Sequence, residues 1–197
     1  MNYKICAASE LSQTQKEEAV GLFVNGFYNI FSMGVSGDKA VLRQLFIDAF
    51  DYNMVYVCIM DDKVVGFLGL ANAEKRPVSL SKEICKQLLG RFKGALIYKQ
   101  MGDMLHKVTV REKTQGYIDY ITTDAAYRGK GVATKLIQYI CGTLPYESYT
   151  LEVLSKNTKA KHLYEKLGFV QIKEKKNLFV MLGGLGSEIV MRLTVKE

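Results

Sequence analysis

Residues Tyr127-Arg128-Gly129-Lys130-Gly131-Val132-Ala133 join a β-rich run to an amphipathic one, which sets a pair of glycines at the start of a helix. Unpaired backbone N–H groups and the helix dipole favour an anion there. Gly129 and Gly131 carry no Cβ to block the approach of a pyrophosphate, and Lys130 or Arg128 can add charge at the rim. The loop is not a Walker loop, because Gly-Lys-Ser/Thr is missing, and a Rossmann fingerprint would need glycine where Thr134 stands. A plain strand-to-helix turn is the other reading of these residues.

A second constellation follows. In Asn157-x-x-Ala160-Lys161-x-Leu163-Tyr164-x-x-Leu167-Gly168-Phe169, residues Asn157, Ala160, Lys161 and Tyr164 share one helical stripe, with Asn157 and Tyr164 two turns or roughly 10 Å apart. The same pattern also suits packing, with Tyr164 in a core and Asn157 as a helix cap. Asp119 alternates with Tyr117 and Ile121 along one strand face, where a carboxylate can take a proton or simply hold a salt bridge. His106 and His162 are too few and too far apart for a zinc cluster, and His162 lies off the stripe, facing solvent. Cys6, Cys58, Cys85 and Cys141 form no C-x-x-C pair and read as buried free thiols. Gly183-Gly184-x-Gly186 precedes no helix and reads as a hairpin loop.

The elements that must position these residues are legible from periodicity. Tyr3 to Ala8 reads as a strand, after which Ser12 caps a helix carrying Val20, Phe23, Val24 and Phe27. Asp38 caps a second helix with Val41, Leu42, Leu45, Phe46 and Ala49 on its buried side. Met54 to Met60 and Lys63 to Ala71 form a hairpin through Asp61-Asp62, and both strands read as central. Residues 74–113 then interrupt the strands with helices over about 81–89 and 91–105, neither with a strongly apolar face. Beyond them come strand Tyr117 to Thr123, helix Gly131 to Cys141, strand Tyr149 to Leu154, helix 157–167 ended by Gly168, and strands Phe169 to Lys173 and Glu188 to Thr194. This order calls for an α/β layer domain, a mixed sheet covered by helices, spanning residues 1–197.

Composition sets the outer bounds. The 197 residues are 48% hydrophobic and 24% charged, enough to bury a core without metal or disulfide. The longest apolar run, Met54 to Met60, is far short of a membrane span, and Met1 to Cys6 lacks a signal-peptide core, so a cytoplasmic protein with no membrane partner is expected. Of the net charge of +7, nearly all falls in residues 74–113, where ten Lys/Arg face four Asp/Glu. That stretch has no aromatic-interleaved basic motif, so no nucleic acid partner is expected. As a long excursion it reads as a helical cover beside a binding site, its charge favouring ligands that bear a carboxylate or phosphate, or as a solvated surface padding the sheet.

Taken together, the two constellations resemble the GNAT superfamily of acetyl-CoA-dependent N-acetyltransferases, specifically over residues 117–174 and by element order over 3–71. The acyl-CoA loop of that family is written Gln/Arg-x-x-Gly-x-Gly/Ala. Ala126 to Gly131 meets it except at Ala126, and Arg128 to Ala133 meets it in full; both registers use the same backbone. The resemblance implies a mixed, mostly antiparallel sheet with a helical insertion between strands three and four. It also implies transfer of an acetyl group from acetyl-CoA to a primary amine, of a small molecule or of a protein N-terminus or lysine, unless the chain is a non-catalytic acyl-CoA sensor. The coenzyme then rests on Arg128, Gly129, Lys130, Gly131, Val132, Ala133, Asn157, Lys161 and Tyr164. Backbone N–H groups around Ile121, Thr122 and Thr123 hold the developing oxyanion, and Tyr164 protonates the leaving thiolate. Asp119, Glu152 or a water chain takes the proton of the amine. No metal is called for, and a monomer or homodimer is expected.

Overall fold

The computed structural model describes residues 2–105, 110–176 and 186–195. Its first half comprises β1 (Lys4–Ala7), α1 (Gln13–Gly26), α2 (Tyr28–Gly34), α3 (Lys39–Ile47), β2 (Val55–Met60), β3 (Lys63–Ala71), α4 (Lys82–Leu89) and α5 (Arg91–Leu105). The second comprises β4 (Gln115–Thr123), α6 (Val132–Thr143), β5 (Ser148–Leu154), α7 (Thr158–Lys166), β6 (Val170–Lys175) and β7 (Glu188–Thr194). The strands form one sheet in the order β1-β2-β3-β4-β5-β7-β6. β4 and β5 run parallel, and every other neighbouring pair is antiparallel. This is the mixed, mostly antiparallel sheet expected, with its helical insertion between β3 and β4.

Local chemistry explains most boundaries. Ser12 and Gln15 form a reciprocal capping box at the start of α1, and the Asp38 carboxylate accepts from the Ala40 N–H at 2.7 Å to start α3. Asp61 and Asp62 both take positive φ, 50° and 60°, as a two-residue turn between strands with right-handed twist requires. Helix α2 is an element that periodicity did not mark, because Tyr28 to Gly34 is too short to show a repeat.

Two cores sandwich the sheet. On one face Phe23 sits 4.9–5.4 Å, ring to ring, from Phe27, Phe31, Phe46, Phe50, Phe67 and Tyr120. On the other, α6 and α7 bury Leu136, Ile137, Ile140 and Tyr164 against Tyr149, Leu151 and Met191. The Tyr149 hydroxyl donates to the Ile140 carbonyl at 2.7 Å and ties β5 to α6. The start of α6 lies directly on β3, where a Cβ on Gly66 would fall 2.4 Å from Val132 Cγ1.

The insertion departs from expectation. α4 and α5 do own an apolar side: Cys85, Ile97, Met101 and Leu105 are buried in the first core. Ile97, Met101 and Leu105 recur every fourth residue, a stripe that the surrounding lysines and glycines obscure. Lys82, Arg91 and Lys93 remain exposed on the outside. The calls on His106 and on the Gly183-Gly184 pair lie outside the described residues. Among those described, no helix is long and apolar enough to cross a membrane.

Candidate active site

The parallel pairing of β4 with β5 begins at Gln115 with Ser148 and ends at Ile118 with Leu151. Both strands continue, β4 to Thr123 still paired with β3, and β5 to Leu154 still paired with β7. The sheet therefore opens into a wedge at its centre. A bulge coincides with the opening: Gly69 faces Tyr120 and Leu70 faces Ile118, which leaves Asp119 without a β3 partner. Such an extra residue bends the bulged strand, here away from β5. Beyond it, the edge of β4 that looks into the wedge offers backbone groups with no strand neighbour.

At the end of β4 the chain turns through Ala125–Tyr127, started by the Asp124 carboxylate accepting from the Ala126 N–H at 2.9 Å. Gly129 and Gly131 follow at φ +75° and +80°, the left-handed region that glycine enters freely. Gly131 is the N-cap of α6 and supplies no side-chain cap, so the first N–H groups of that helix point outward for an anion. A cavity of about 630 Å³ lies there. Thr123, Arg128, Gly129, Gly131, Val132 and Ala133 line it from the loop side, and Asn157 and Ala160 line it from α7. Tyr127, Thr134, Lys159 and Leu163 also line it and were not picked from the sequence. Lys159 and Leu163 are one helical turn apart, a signal that the stripe through Tyr164 masked.

The other expected residues are placed differently. Lys130 Nζ stands 4.7 Å from the Tyr127 ring, and Lys161 pairs with Glu165 at 3.8 Å; neither lines the cavity. Ile121 packs into the second core, whereas Thr122 points to α1, where Gly26 makes room for it. Asn157 both lines the cavity and caps α7, its Oδ1 accepting from the Ala160 N–H at 3.3 Å. Tyr164 is 6% exposed, with its ring 5.8 Å from that of Phe169. Its hydroxyl has no hydrogen-bond partner among the described residues, and burial pushes its pKa up to about 12, so it carries its proton at neutral pH.

The opposite face of the wedge is polar. Ile118, Leu151, Val153, Ile189 and Met191 all face the second core, so the alternation of β-strands turns Tyr117, Glu152 and Glu188 the other way. Asp119 is gripped there by Arg76, from the loop after β3: Nε donates to Oδ2 at 2.8 Å and Nη2 to Oδ1. Burial pushes the Asp119 carboxyl above its ordinary value, against the pull of the guanidinium. Burial also works to lower Arg76, and its bonds to Asp119 outweigh that and leave it raised. Tyr117 and Tyr120 are pushed far up, first by burial and then by neighbouring carboxylates, and keep their protons. Glu152 pairs with Lys175, both only partly covered. Of the two carboxylates considered as bases, Asp119 thus has both oxygens engaged and Glu152 stands at the open mouth.

A central wedge in a mixed sheet is thus flanked by a glycine-hinged helix start and a capped second helix. The chain belongs to the acetyltransferase (GNAT) family, whose model matches residues 24–169. It is 37% identical over 86 residues to N-alpha-acetyltransferase 30 of Schizosaccharomyces pombe, covering 42% of this chain and 53% of that protein. It is 28% identical over 105 residues to glucosamine 6-phosphate N-acetyltransferase of Trypanosoma brucei brucei, covering 53% of this chain and 69% of that one. The chain spans about half the length of the yeast relatives it matches. Its fold is similar, with a TM-score of 0.56 and 16% identity over all of both chains, to one in the NatC complex bound to Gag peptide and CoA.

Proposed function

We propose that the protein transfers an acetyl group from acetyl-CoA to a primary amine of a small molecule. The observation that carries this is the wedge: it runs from the cavity at Gly129 and Gly131 to the bulge at Asp119, joining an anion site to a row of unpartnered backbone groups. The pyrophosphate rests on the 129–133 backbone, and the acyl arm lies along the free edge of β4. Glu152, directly or through water, takes a proton from the ammonium, and the neutral nitrogen attacks the thioester carbon. The carbonyl becomes an oxyanion held by backbone N–H groups of the Ile121 to Thr123 stretch. When the C–S bond breaks, the electron pair leaves on sulfur and the Tyr164 hydroxyl donates its proton there; the attacking nitrogen, cationic after addition, releases its second proton through water, which restores the tyrosine and leaves the neutral amide.

A second reading, the α-amine of a polypeptide, is favoured by the likeness to N-alpha-acetyltransferase 30. A panel of amines and short peptides, followed by release of CoA thiol and by product mass, separates the readings. Acetylated small amines are expected. Acetylated peptides alone would move the proposal to its second form, and tight acetyl-CoA binding with no transfer at all would replace it by an acyl-CoA sensor.

A further inference from the structure

Asp119 occupies a singular place. It is the one residue of β4 skipped in the register with β3, and also the first residue past the last pair with β5. The strand changes direction there. Both of its oxygens are taken by a single guanidinium, and the side chains of Arg76 and Asp119 are 9% and 4% exposed. Two parallel bonds to a planar fork fix the orientation of the carboxylate as well as its position, which a lysine could not do.

Arg76 is itself anchored. Lys75 pairs with Asp51, the Asp51 N–H donates to the Pro77 carbonyl at 2.9 Å, Val78 bridges Phe50, and the Ser79 N–H donates to the Ala49 carbonyl at 2.8 Å. A strap bound on both sides of Arg76 therefore presents it to the bulge. A bulge alone needs no buried ion pair, and a base must be able to turn towards its proton, whereas both oxygens of Asp119 are held by one guanidinium.

We infer that Arg76 is a positioning residue for acyl transfer: through Asp119 it fixes the bend that turns β4 from β5, and so aims the β4 amides at the thioester carbonyl. This rests on the acetyl-transfer reading above. The pyrophosphate loop is separate from the pair, so coenzyme affinity should survive its loss while the polarisation of the carbonyl does not.

The test uses the whole chain and acetyl-CoA labelled with ¹³C at the carbonyl, whose infrared stretch reports its hydrogen bonds. Arg76→Gln, Asp119→Asn and the double variant are compared with wild type by calorimetry, infrared difference spectra and turnover of an accepted amine. Bound to wild type, the carbonyl should absorb at lower wavenumber than in water. In both single variants that shift should be lost, kcat should fall on the order of a hundredfold, and affinity should stay within about threefold. The double variant should be no worse than either single one, as for two parts of one device. Asp119→Asn should keep the pH dependence of kcat/KM. Should the singles fold poorly, Arg76→Met with Asp119→Leu removes both charges at similar volume and should bind acetyl-CoA without the shift.

An unaltered carbonyl shift in the folded variants overturns the inference. So does an acid limb of the pH profile that vanishes in Asp119→Asn alone, which would make Asp119 the base. Wild type that binds acetyl-CoA with an unshifted carbonyl sinks this inference only, whereas wild type that does not bind it sinks the acetyl-transfer reading and this one with it.

Discussion

Replacing Tyr164 by Phe isolates chemistry from packing. The ring is buried beside Phe169, and the hydroxyl has no partner among the described residues, so Phe preserves the packing and breaks no hydrogen bond. Stability at pH 7 should change by less than about 0.5 kcal/mol. If the hydroxyl protonates the leaving thiolate, kcat should fall about ten- to ten-thousandfold, or roughly 1.4 to 5.5 kcal/mol of barrier, with acetyl-CoA affinity nearly unmoved. Burial raises the pKa from 10.0 to about 12, so the proton is present throughout pH 6 to 9 and the deficit should persist across that range. The same shift has a thermodynamic sign. A raised folded-state value means that the stabilisation is fully present below pH 10 and is lost as pH climbs towards 12. Urea denaturation of wild type and Tyr164→Phe between pH 8 and pH 11 should therefore show wild type losing ground relative to the variant. An unchanged kcat from pH 6 to 9 would return Tyr164 to a packing role, and a large stability loss at pH 7 would reveal a partner for its hydroxyl.

Three further outcomes are expected. Valine at both Gly129 and Gly131 should abolish acetyl-CoA binding by calorimetry. The left-handed backbone strain costs about 1–2 kcal/mol per site, with no heavy atom within 4 Å of a Cβ at 129 and only Lys135 Cε, at 3.9 Å, near one at 131; binding like wild type would place the cradle elsewhere. Reversing the charge at Lys82, Lys86, Arg91 and Lys93 should change acceptor KM at least about threefold and leave acetyl-CoA affinity alone if the insertion selects acidic acceptors, and it should change neither if those lysines only solvate the surface. Burial raises the thiol pKa of Cys6, Cys58 and Cys85, and that of Cys141 to about 11, so a thiol reagent should label the native protein far more slowly than the urea-unfolded chain. Rapid native labelling would contradict the packing described.

The half of the site that we assign to the coenzyme was legible because it is local. Thr123 to Ala133 is one stretch of chain whose glycines, charges and following helix stand next to one another, and Asn157 announces its cap three residues before Ala160. The misplacement of Lys161 shows where local reasoning stops. At about 100° per residue, Asn157, Lys159, Ala160 and Leu163 centre on a direction well over 90° from Lys161, yet only the packing of α7 on the sheet decides which direction meets the cavity. The acceptor half has no such stretch. Its groups come from β4, β5 and β6 and from the strap after β3: Arg76 meets Asp119 across 43 residues, and Lys175 meets Glu152 across 23. Neither contact has a periodicity or a motif, because each depends on which strands become neighbours and on a bulge that appears only when the strands pair. On our reading, this division lets one fold keep its coenzyme and change its acceptor: substitutions at long-range pairs can reshape the outer mouth while the loop from Thr123 to Ala133, which needs only its own glycines and its helix, goes on holding the pyrophosphate.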